Sequence, residues 1–359
     1  MKILYVGCHE ILEFDTLTLF TELDSLIPEG ESKLNLEIFS LNGAYMNPLQ
    51  SGGFSRTVIK NGRFYPKLYG VGLQSDKDDI HDELLDWCDV VFMTHNSAIP
   101  GQKEQQRWVV RSFEKIHSKK KKMIWQSIGQ CTPELEKEIK QYRDRGMNIV
   151  RMSPLEEKVP QYAGHDAIIR FHKDEDEFNG WTGEKKQVIT ITQSFKQRGH
   201  HLGYTVFEDV THGFNRKVYG SENADLGDLW GGFRSYNELK DDLRKSRVYF
   251  YFGTQPVPYT LTFIEAMLTG IPVVAVGPAL RGDNKAPYPW PNYEVHQIIS
   301  NGVNGYVSND INELRGYIQL LLDDEETAKR IGEAGRNTAI KLFGKKTIAQ
   351  QWIQLLKQI

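Results

Sequence analysis

The sequence predicts an α/β protein with two domains, each built on a parallel β-sheet. Short apolar runs, typical of strands buried on both faces, alternate with helical segments, and this alternation is typical of parallel sheets. A length of 359 residues fits two domains, and a hydrophobic fraction of 40% is enough for two cores. A charged stretch without periodicity separates two such series, so we expect domains at 1–172 and 187–344, a linker at 173–186 and a final helix at 345–359.

The overall composition indicates a soluble cytoplasmic protein. The net charge of −3 gives no electrostatic reason to expect tight binding to nucleic acid or membranes. Cys8, Cys88 and Cys131 are scattered and form neither a disulfide framework nor a zinc pattern, which favours a reducing compartment. The N-terminus enters a strand without a signal-peptide layout, and no apolar run is long enough to span a bilayer.

The first half of the chain contains six apolar runs with the length of buried strands. They are Lys2–Val6, Leu36–Phe39, Asp89–Met93, Met123–Trp125, Met147–Val150 and Ala167–Ile169. Helices are expected around Leu17–Leu23 and over Lys103–Ile116. Residues 42–75 are irregular and rich in glycine, and so long a loop in a compact domain is usually functional or mobile.

The second half repeats this alternation. Its predicted strands are Val188–Ile191, Lys217–Tyr219, Val248–Phe252 and Pro272–Val276. Its predicted helices are His201–Val210, Tyr236–Lys245, Leu261–Thr269, Ile311–Leu322, Glu326–Leu342 and Lys346–Leu356. Ser235 and Glu238 have capping-box spacing, Asp310 and Glu313 are expected to cap the next long helix, and Asn304-Gly305 predicts a tight turn.

The stretch from Arg247 to Val276 is the clearest candidate for a ligand site. It predicts a strand, a loop, a short helix ended by Gly270, and a second strand. In an open α/β sheet, the helix that follows a parallel strand begins where ligands bind, and its first amides form an anion site. Thr262, Glu265 and Thr269 share one face of this helix. On this pattern alone, Glu265 is also compatible with an ordinary surface glutamate.

Two motifs in this half carry a resemblance to a known family. Leu261–Ala275 resembles the glutamate helix of glycosyltransferase family 4, a group of nucleotide-sugar transferases, running into Gly-x-Pro-Val-Val. Ile299–Val307 is similar to that family's Gly-x-x-Gly turn, and the pattern extends over about 188–342. The resemblance implies the GT-B fold, in which two Rossmann-like domains face each other across a cleft and a C-terminal helix crosses back to the first. The first domain would then bind the acceptor and the second the nucleotide-sugar donor.

The resemblance also implies roles for donor-binding residues. Glu265 would accept hydrogen bonds from the ribose hydroxyls of the donor. The amides of Thr260, Leu261 and Thr262 would hold the diphosphate, and Arg198 matches the family's basic residue before glycine. Ser194, Lys196 and Tyr259 would add further contacts to the donor. Arg198 is also compatible with a solvated loop cation.

The sequence departs from the family pattern at two positions. The family has a first glutamate eight positions before the second, where this chain has Val257, so contacts to the transferred sugar must differ. The family's histidine at the end of an N-domain strand is matched by Gln126, which can hydrogen-bond a sugar but cannot act as a base. His95, His9 and Glu10 are the alternative acceptor-side residues, although each also fits an ordinary polar turn.

Three further features remain open on sequence alone. His200 and His201 predict a helix start rather than a metal site. The basic run Lys119–Lys122, with Lys115, fits a solvated helix end, and a peripheral membrane or polynucleotide contact is the alternative. The aromatic loop at 286–293 is compatible with stacking on a ligand or with a rigid lid.

We therefore expect a hexosyl- or pentosyltransferase that uses a nucleoside-diphosphate sugar, with a UDP-sugar favoured. The transfer would be retaining, with Arg198, Glu265, His95 and Gln126 at the reaction centre. No metal and no cofactor beyond the donor are expected. The expected acceptor is a saccharide or a lipid-linked glycan. The alternatives are a transferase acting on a modified base in DNA, an epimerase, and a catalytically silent binding module.

Overall fold

The computed structural model describes residues 1–7, 10–40, 80, 82–94, 108–283, 285 and 287–359. The chain divides into two compact units, Met1–His172 with Lys346–Ile359, and Lys173–Lys345. Each unit contains one sheet whose strands pair in parallel, so the predicted class of two parallel-sheet α/β domains is confirmed.

The first unit has a six-stranded parallel sheet. Its strands are β1 (Lys2–Gly7), β2 (Glu37–Ser40), β3 (Val90–Thr94), β4 (Lys122–Gln126), β5 (Met147–Arg151) and β6 (Ala167–Ile168). Its helices are α1 (Glu10–Leu26), α2 (Asp82–Trp87), α3 (Trp108–Ser118) and α4 (Pro133–Arg143). The strand order is β2-β1-β3-β4-β5-β6. The sequence did not predict α2 or α4, because their charged residues hide the few apolar positions that each helix buries.

The second unit has a five-stranded parallel sheet in the order β11-β10-β9-β7-β8. Its strands are β7 (Lys185–Ile191), β8 (Arg216–Tyr219), β9 (Ser246–Tyr251), β10 (Val273–Val276) and β11 (Tyr306–Ser308). Its helices are α5 (Tyr204–Thr211), α6 (Tyr236–Lys245), α7 (Leu261–Thr269), α8 (Pro278–Arg281), α9 (Val295–Ile298), α10 (Ile311–Asp323) and α11 (Glu325–Phe343). Strand β11 was predicted only as a turn, since three residues give no readable periodicity.

The predicted helix ends follow their expected chemistry. Ser235 and Glu238 form the capping box that begins α6. Asp310 caps α10, whereas the Glu313 carboxylate accepts from the Ser308 hydroxyl at 2.5 Å instead of joining the cap. Gly270 ends α7 with a φ of 90°, a left-handed conformation that glycine adopts without steric cost.

The last helix, α12 (Lys345–Gln358), belongs almost entirely with the first unit. Its buried side chains join the core formed by β1, β3 and α1. Trp352 lies 5.1 Å from the rings of both Phe20 and Phe92. The last segment of the sequence, which follows the second unit, therefore completes the core of the first unit.

Residues 173–186, expected to link the domains, pack within the second unit. Phe178 is buried 5.9 Å from the ring of Tyr236, and the Trp181 indole donates to the Ser246 carbonyl at 2.8 Å. Charged residues dominate the composition of this segment, yet its two large aromatic side chains anchor it to the unit.

Candidate functional site

A cavity of about 160 Å³ lies where the strands of the second sheet end. Its walls come from the carboxyl ends of β7 and β9, the loop after β7 and the first turn of α7. This is the edge at which parallel α/β sheets bind ligands. Its polar lining includes Thr190, Thr192, Arg198, Tyr251, Thr260 and Thr262, and none of the described lining residues is a carboxylate.

The N-terminus of α7 forms part of the wall of this cavity. Leu261 and Thr262 present amides that, within the described residues, donate to no protein acceptor. Such amides, together with the positive end of the helix dipole, favour a bound anion. The Thr260 amide differs from the prediction, because it donates to the Tyr251 hydroxyl at 3.0 Å. The candidate anion site therefore offers two amides without an acceptor among the described residues, with a tyrosine hydroxyl beside them.

Arg198 lines the cavity from the loop after β7. Its side chain is exposed, and within the described residues no hydrogen bond or ion pair holds the guanidinium. Lys196 is also exposed but is not part of the cavity wall. Of the two predicted loop cations, Arg198 is the one placed to meet a ligand.

Ser194 has a structural role that the sequence did not reveal. It adopts a positive φ of 52°, is 7% exposed, and donates its hydroxyl to the carboxylate of Glu222. This hydroxyl already has a partner, and the predicted contact from Ser194 to the donor stays a prediction. The same contact fastens the loop after β7 to the loop after β8.

The Asn223 side chain fixes the backbone of the loop after β7. Its side-chain amide donates to the Thr192 carbonyl at 2.7 Å, and its Oδ1 accepts from the Phe195 amide at 2.8 Å. Gly220 lets the two loops approach, since a Cβ there would lie 2.1 Å from the Thr192 oxygen. Sequence reasoning missed Asn223, although its place in the polar run after β8 was a readable signal.

Glu265 lies one turn along α7 from Thr262 and is 6% exposed. Its Oε1 lies 2.8 Å from Nζ of Lys173 and accepts from the Tyr236 hydroxyl at 2.9 Å. Lys173 was predicted as part of a linker, and neither partner was predicted to contact the site. The glutamate is thus buried and paired, and it does not belong to the cavity wall itself.

The segment around Val257, where the family has its first glutamate, is held by a buried arginine. The Arg281 guanidinium donates to the Thr254 carbonyl at 2.8 Å and pairs with Asp283 at 3.0 Å. Tyr259 is 2% exposed and packs 5.2 Å from the ring of Phe343. Tyr259 was predicted to contact the donor. Its ring lies in the core rather than in the cavity wall, so that contact stays a prediction.

Two aromatic side chains of the predicted aromatic loop pack inward. Trp290 and Tyr293 are buried, and the Tyr293 hydroxyl donates to the Val276 carbonyl at 3.0 Å. The Arg281 guanidinium lies 4.0 Å from the Tyr293 ring centre. These contacts hold Arg281 in place, and both rings are buried in the packing of the second unit.

His200 and His201 form a short 3₁₀ turn rather than a metal pair, with ring centres 3.9 Å apart. Burial, followed by the neighbouring charges of His200 and Arg198, lowers the pKa of His201. Within the described part of the chain, no cluster of three or more His, Cys, Asp or Glu side chains is arranged to hold a metal ion.

In the first unit, Gln126 ends β4 and is 1% exposed. Its Nε2 donates to the Ile169 carbonyl at 3.4 Å, while Oε1 is buried and has no partner among the described residues. Glu10 begins α1, and its side chain is not among those described. His9, His95 and the whole glycine-rich stretch at 42–75 lie outside the described residues.

A buried charge cluster lies at the end of β5 in the first unit. Arg151 makes a two-pronged ion pair with Glu136 at 2.7 and 2.8 Å, and lies 3.7 Å from Glu156. All three side chains are inaccessible to solvent. Burial raises the pKa of Glu156 above its ordinary value, against the lowering effect of Arg151.

The basic run at 119–122 is partly neutralised by acidic residues of α2. Lys119 pairs with Asp82 at 3.1 Å and with Asp86 at 2.5 Å. Lys121 donates to the Cys88 carbonyl at 2.8 Å, which leaves Lys120 and Lys122 as the exposed members. No helix within the described residues is both long and apolar enough to cross a membrane.

Comparison with known proteins gives matches to solved structures. No protein-family model matches the sequence, and no curated protein does. Anabaena HepE, solved with UDP and glucose, with UDP and with UDP-glucose, aligns over 100% of both chains at 14% identity with a TM-score of 0.65. Sucrose-phosphate synthase from Thermosynechococcus elongatus aligns over 100% of this chain and 99% of its own, at 14% identity and a TM-score of 0.62. A glycosyltransferase from Rickettsia africae covers 99% and 98%, at 14% identity and a TM-score of 0.63.

The fold is GT-B. Two features expected of a GT-B protein are confirmed in this chain: two parallel-sheet domains, and a C-terminal helix that packs with the first of them. At 14% identity the likeness extends to the GT-B architecture alone, so the chemistry of the site has to be argued from this chain's own residues.

Proposed function

We propose that this protein is a glycosyltransferase that transfers a sugar from a nucleoside-diphosphate sugar to an acceptor hydroxyl. The observation that carries the proposal is the cavity in the second unit, whose described lining offers hydroxyls, free amides and one cation without a carboxylate. Phosphate oxygens accept hydrogen bonds and carry negative charge, so this set suits a diphosphate. HepE is solved with UDP and UDP-glucose, which supports the same donor class and leads us to favour a UDP-sugar.

Arg198 and the start of α7 would stabilise the leaving group. Negative charge builds on the diphosphate as its bond to the sugar breaks, and fixed donors aimed at that charge lower the barrier. The Arg198 fork suits phosphate oxygens, and the Leu261 and Thr262 amides lie at the positive end of the helix. These groups supply the charge neutralisation that a divalent cation could otherwise give, so we propose a metal-independent transfer. Retention of configuration is the outcome that the family resemblance implies.

Glu265 would read the ribose of the donor. Its Oε1 is occupied by Lys173 and Tyr236, so the second carboxylate oxygen is the acceptor left for ribose hydroxyls. An ionised carboxylate forms stronger hydrogen bonds than a neutral acceptor does. Glu265 would thus add selectivity for a ribonucleotide to the charge recognition supplied by Arg198.

The acceptor would be recognised by residues of the first unit, and we propose a saccharide or lipid-linked glycan. Gln126 supports this assignment, because its buried Oε1 has no partner and an amide can hydrogen-bond a sugar hydroxyl. An amide cannot remove the proton of the acceptor hydroxyl, so the role of Gln126 would be to orient a substrate. His9, His95 and Glu10 remain candidates on the same acceptor side.

A thermal-shift screen over UDP-, GDP-, ADP- and TDP-sugars tests the proposal. We expect stabilisation by one donor class, since a ligand that binds only the folded state raises the unfolding temperature. Glu265→Ala should reduce the shift, and Lys240→Met, which removes a cation outside the cavity wall that pairs with Glu177, should leave it unchanged. A flat response of the wild type to every donor would contradict the proposal.

Turnover separates the remaining functions. Incubation of the stabilising donor with candidate glycans should yield a transferred sugar, or slow donor hydrolysis when acceptor is absent. Donor binding without either product would identify a silent binding module. Conversion of the donor to a second nucleotide sugar would identify an epimerase, and sugar transferred to modified DNA would identify the runner-up acceptor.

A further inference from the structure

Lys173 is a buried lysine that the donor-binding scheme leaves unused. Its side chain is 1% exposed, although lysine is rarely buried without a compensating charge. Its backbone amide donates to the Phe343 carbonyl at 3.4 Å, where the chain forms an isolated parallel bridge with Gly344. The end of α11 thus fixes the backbone position from which the Lys173 side chain extends.

The ammonium group of Lys173 closes a small hydrogen-bonded triangle. Nζ lies 2.8 Å from Oε1 of Glu265 and donates to the Tyr236 hydroxyl at 2.8 Å. That hydroxyl in turn donates to the same Oε1 at 2.9 Å. Nζ also stands 5.3 Å from the centre of the Tyr236 ring and 5.8 Å from that of Phe178.

This triangle compensates the charge of Glu265 and fixes its orientation. A carboxylate at 6% exposure is costly unless an opposite charge compensates it, and Lys173 supplies that charge before any ligand arrives. Both contacts that the described residues make with the carboxylate go to Oε1, which leaves the hydrogen-bonding capacity of Oε2 for a ligand. A preformed acceptor of this kind does not have to be ordered when a ligand binds.

We propose that Lys173 is a positioning residue for nucleotide recognition, compensating the charge of the buried Glu265 carboxylate and holding it turned so that Oε2 accepts from the ribose hydroxyls. The inference rests on the proposed function, since it assumes that a nucleoside diphosphate is the ligand. Lys173 does not itself touch the ligand. Its effect should appear in the choice between ribose and deoxyribose rather than in the binding of the phosphates.

Calorimetric titration with UDP, 2′-deoxy-UDP and 3′-deoxy-UDP measures that choice. For the wild type, at least one deoxy analogue should bind about tenfold or more weakly than UDP, because a hydrogen bond to a charged group is lost. Lys173→Met should reduce this preference severalfold, since Glu265 loses both its compensating charge and the contact that orients it. Glu265→Gln should reduce it in the same way, and the double variant should be no worse than Glu265→Gln alone.

Tyr236→Phe and Lys240→Met are the companion variants. Tyr236→Phe keeps the ring and removes only the hydroxyl that bridges Lys173 and Glu265, so it should weaken the ribose preference even if Lys173→Met fails to fold. Lys240 stands over the same two rings, at 5.2 and 6.0 Å, and pairs with Glu177 instead of Glu265. Lys240→Met should therefore leave the preference unchanged.

The outcomes distinguish this inference from the function on which it rests. If the wild type binds no UDP or other nucleoside diphosphate, the proposed function fails. If it binds UDP but shows no ribose preference, or if folded Lys173→Met and Tyr236→Phe both keep the wild-type preference, the role of Lys173 is refuted while donor binding stands.

Discussion

The two charged side chains of the candidate donor site are held in different ways. Arg198 is exposed and without a side-chain partner in the described structure, so its guanidinium is available to an arriving anion. Glu265 is buried and paired with Lys173. A solvated cation of this kind contributes attraction for phosphate, whereas a fixed carboxylate contributes selectivity for the sugar attached to it.

Replacement of Arg198 separates these contributions. Arg198→Ala should weaken UDP binding by about tenfold to a hundredfold, the effect of losing hydrogen bonds to a charged group. The ribose preference should persist, because Glu265 and its partners are untouched. Calorimetry with UDP measures the change, and Lys240→Met, which removes a cation outside the cavity wall, serves as the control. Equal affinities for wild type and Arg198→Ala would show that the diphosphate binds elsewhere.

Glu156 makes the stability of the first unit depend on pH. Burial raises its pKa in the folded protein, so the folded state holds the proton more tightly than the unfolded chain does. This contribution is fully present below the ordinary pKa of glutamate, and it is lost as the pH rises through the raised value. Hydrogen exchange of the β5 amides, measured across that range, should show protection falling as pH rises, after correction for the intrinsic exchange rate.

Glu156→Gln tests the origin of this dependence. The substitution removes the titrating group, so the corrected protection of β5 should vary less with pH than in the wild type. Glu157→Gln is the control, because Glu157 is an exposed neighbour paired with Lys158 at 2.8 Å. An unchanged pH profile in Glu156→Gln would assign the effect to another group.

The loop after β7 is an ordered element because the loop after β8 holds it. Asn223, Glu222 and Gly220 supply two side-chain anchors and one close backbone approach. The loop carries Arg198 on its surface, so its rigidity determines where the guanidinium lies.

Asn223→Ala should loosen this loop without unfolding the unit. The substitution leaves the Phe195 amide and the Thr192 carbonyl without their side-chain partner, at a cost of about 1–3 kcal/mol for each buried group. UDP affinity should fall severalfold, and the amides at 193–198 should exchange faster. Asn215→Ala is the matched control, since Asn215 lies just before the other end of β8 and bonds Gln187 and the Lys186 carbonyl. Unaltered exchange in Asn223→Ala would contradict the role of this anchor.

Elements whose signals are local could be predicted from the sequence. Helix α7 was predicted with its bounds, because Gly270 and Pro272 stop it and its apolar face repeats with the helical period. The α6 capping box is equally local. The three-residue strand β11 and the charged helix α4 lack such signals, and the packing of their neighbours determines them.

The candidate site was only partly predictable, because its side chains find partners that are distant in sequence. Arg198 and Thr262 line the cavity as the motif suggested. Ser194, however, bonds Glu222, the Thr260 amide bonds Tyr251, and Glu265 bonds Lys173 from a segment expected to be a linker. A sequence shows which residues can make hydrogen bonds, and the fold decides which of those bonds are already made.

At the scale of the whole molecule, α12 joins the end of the chain to the first unit. The helix lies at the end of the sequence, yet Trp352 is 2% exposed within the core of the first unit. The GT-B resemblance predicted this return, and the apolar face of α12 provides its physical reason. The same architecture leaves the carboxyl edge of the second sheet as the candidate donor site.

A crystal structure of the protein with UDP tests the central claim most directly. The account predicts the diphosphate in the cavity of the second unit, within hydrogen-bonding distance of the Leu261 and Thr262 amides and of the Arg198 guanidinium. The ribose hydroxyls should face Oε2 of Glu265, with Lys173 still on Oε1. UDP bound at any other place, or with its phosphates away from the start of α7, would contradict the account.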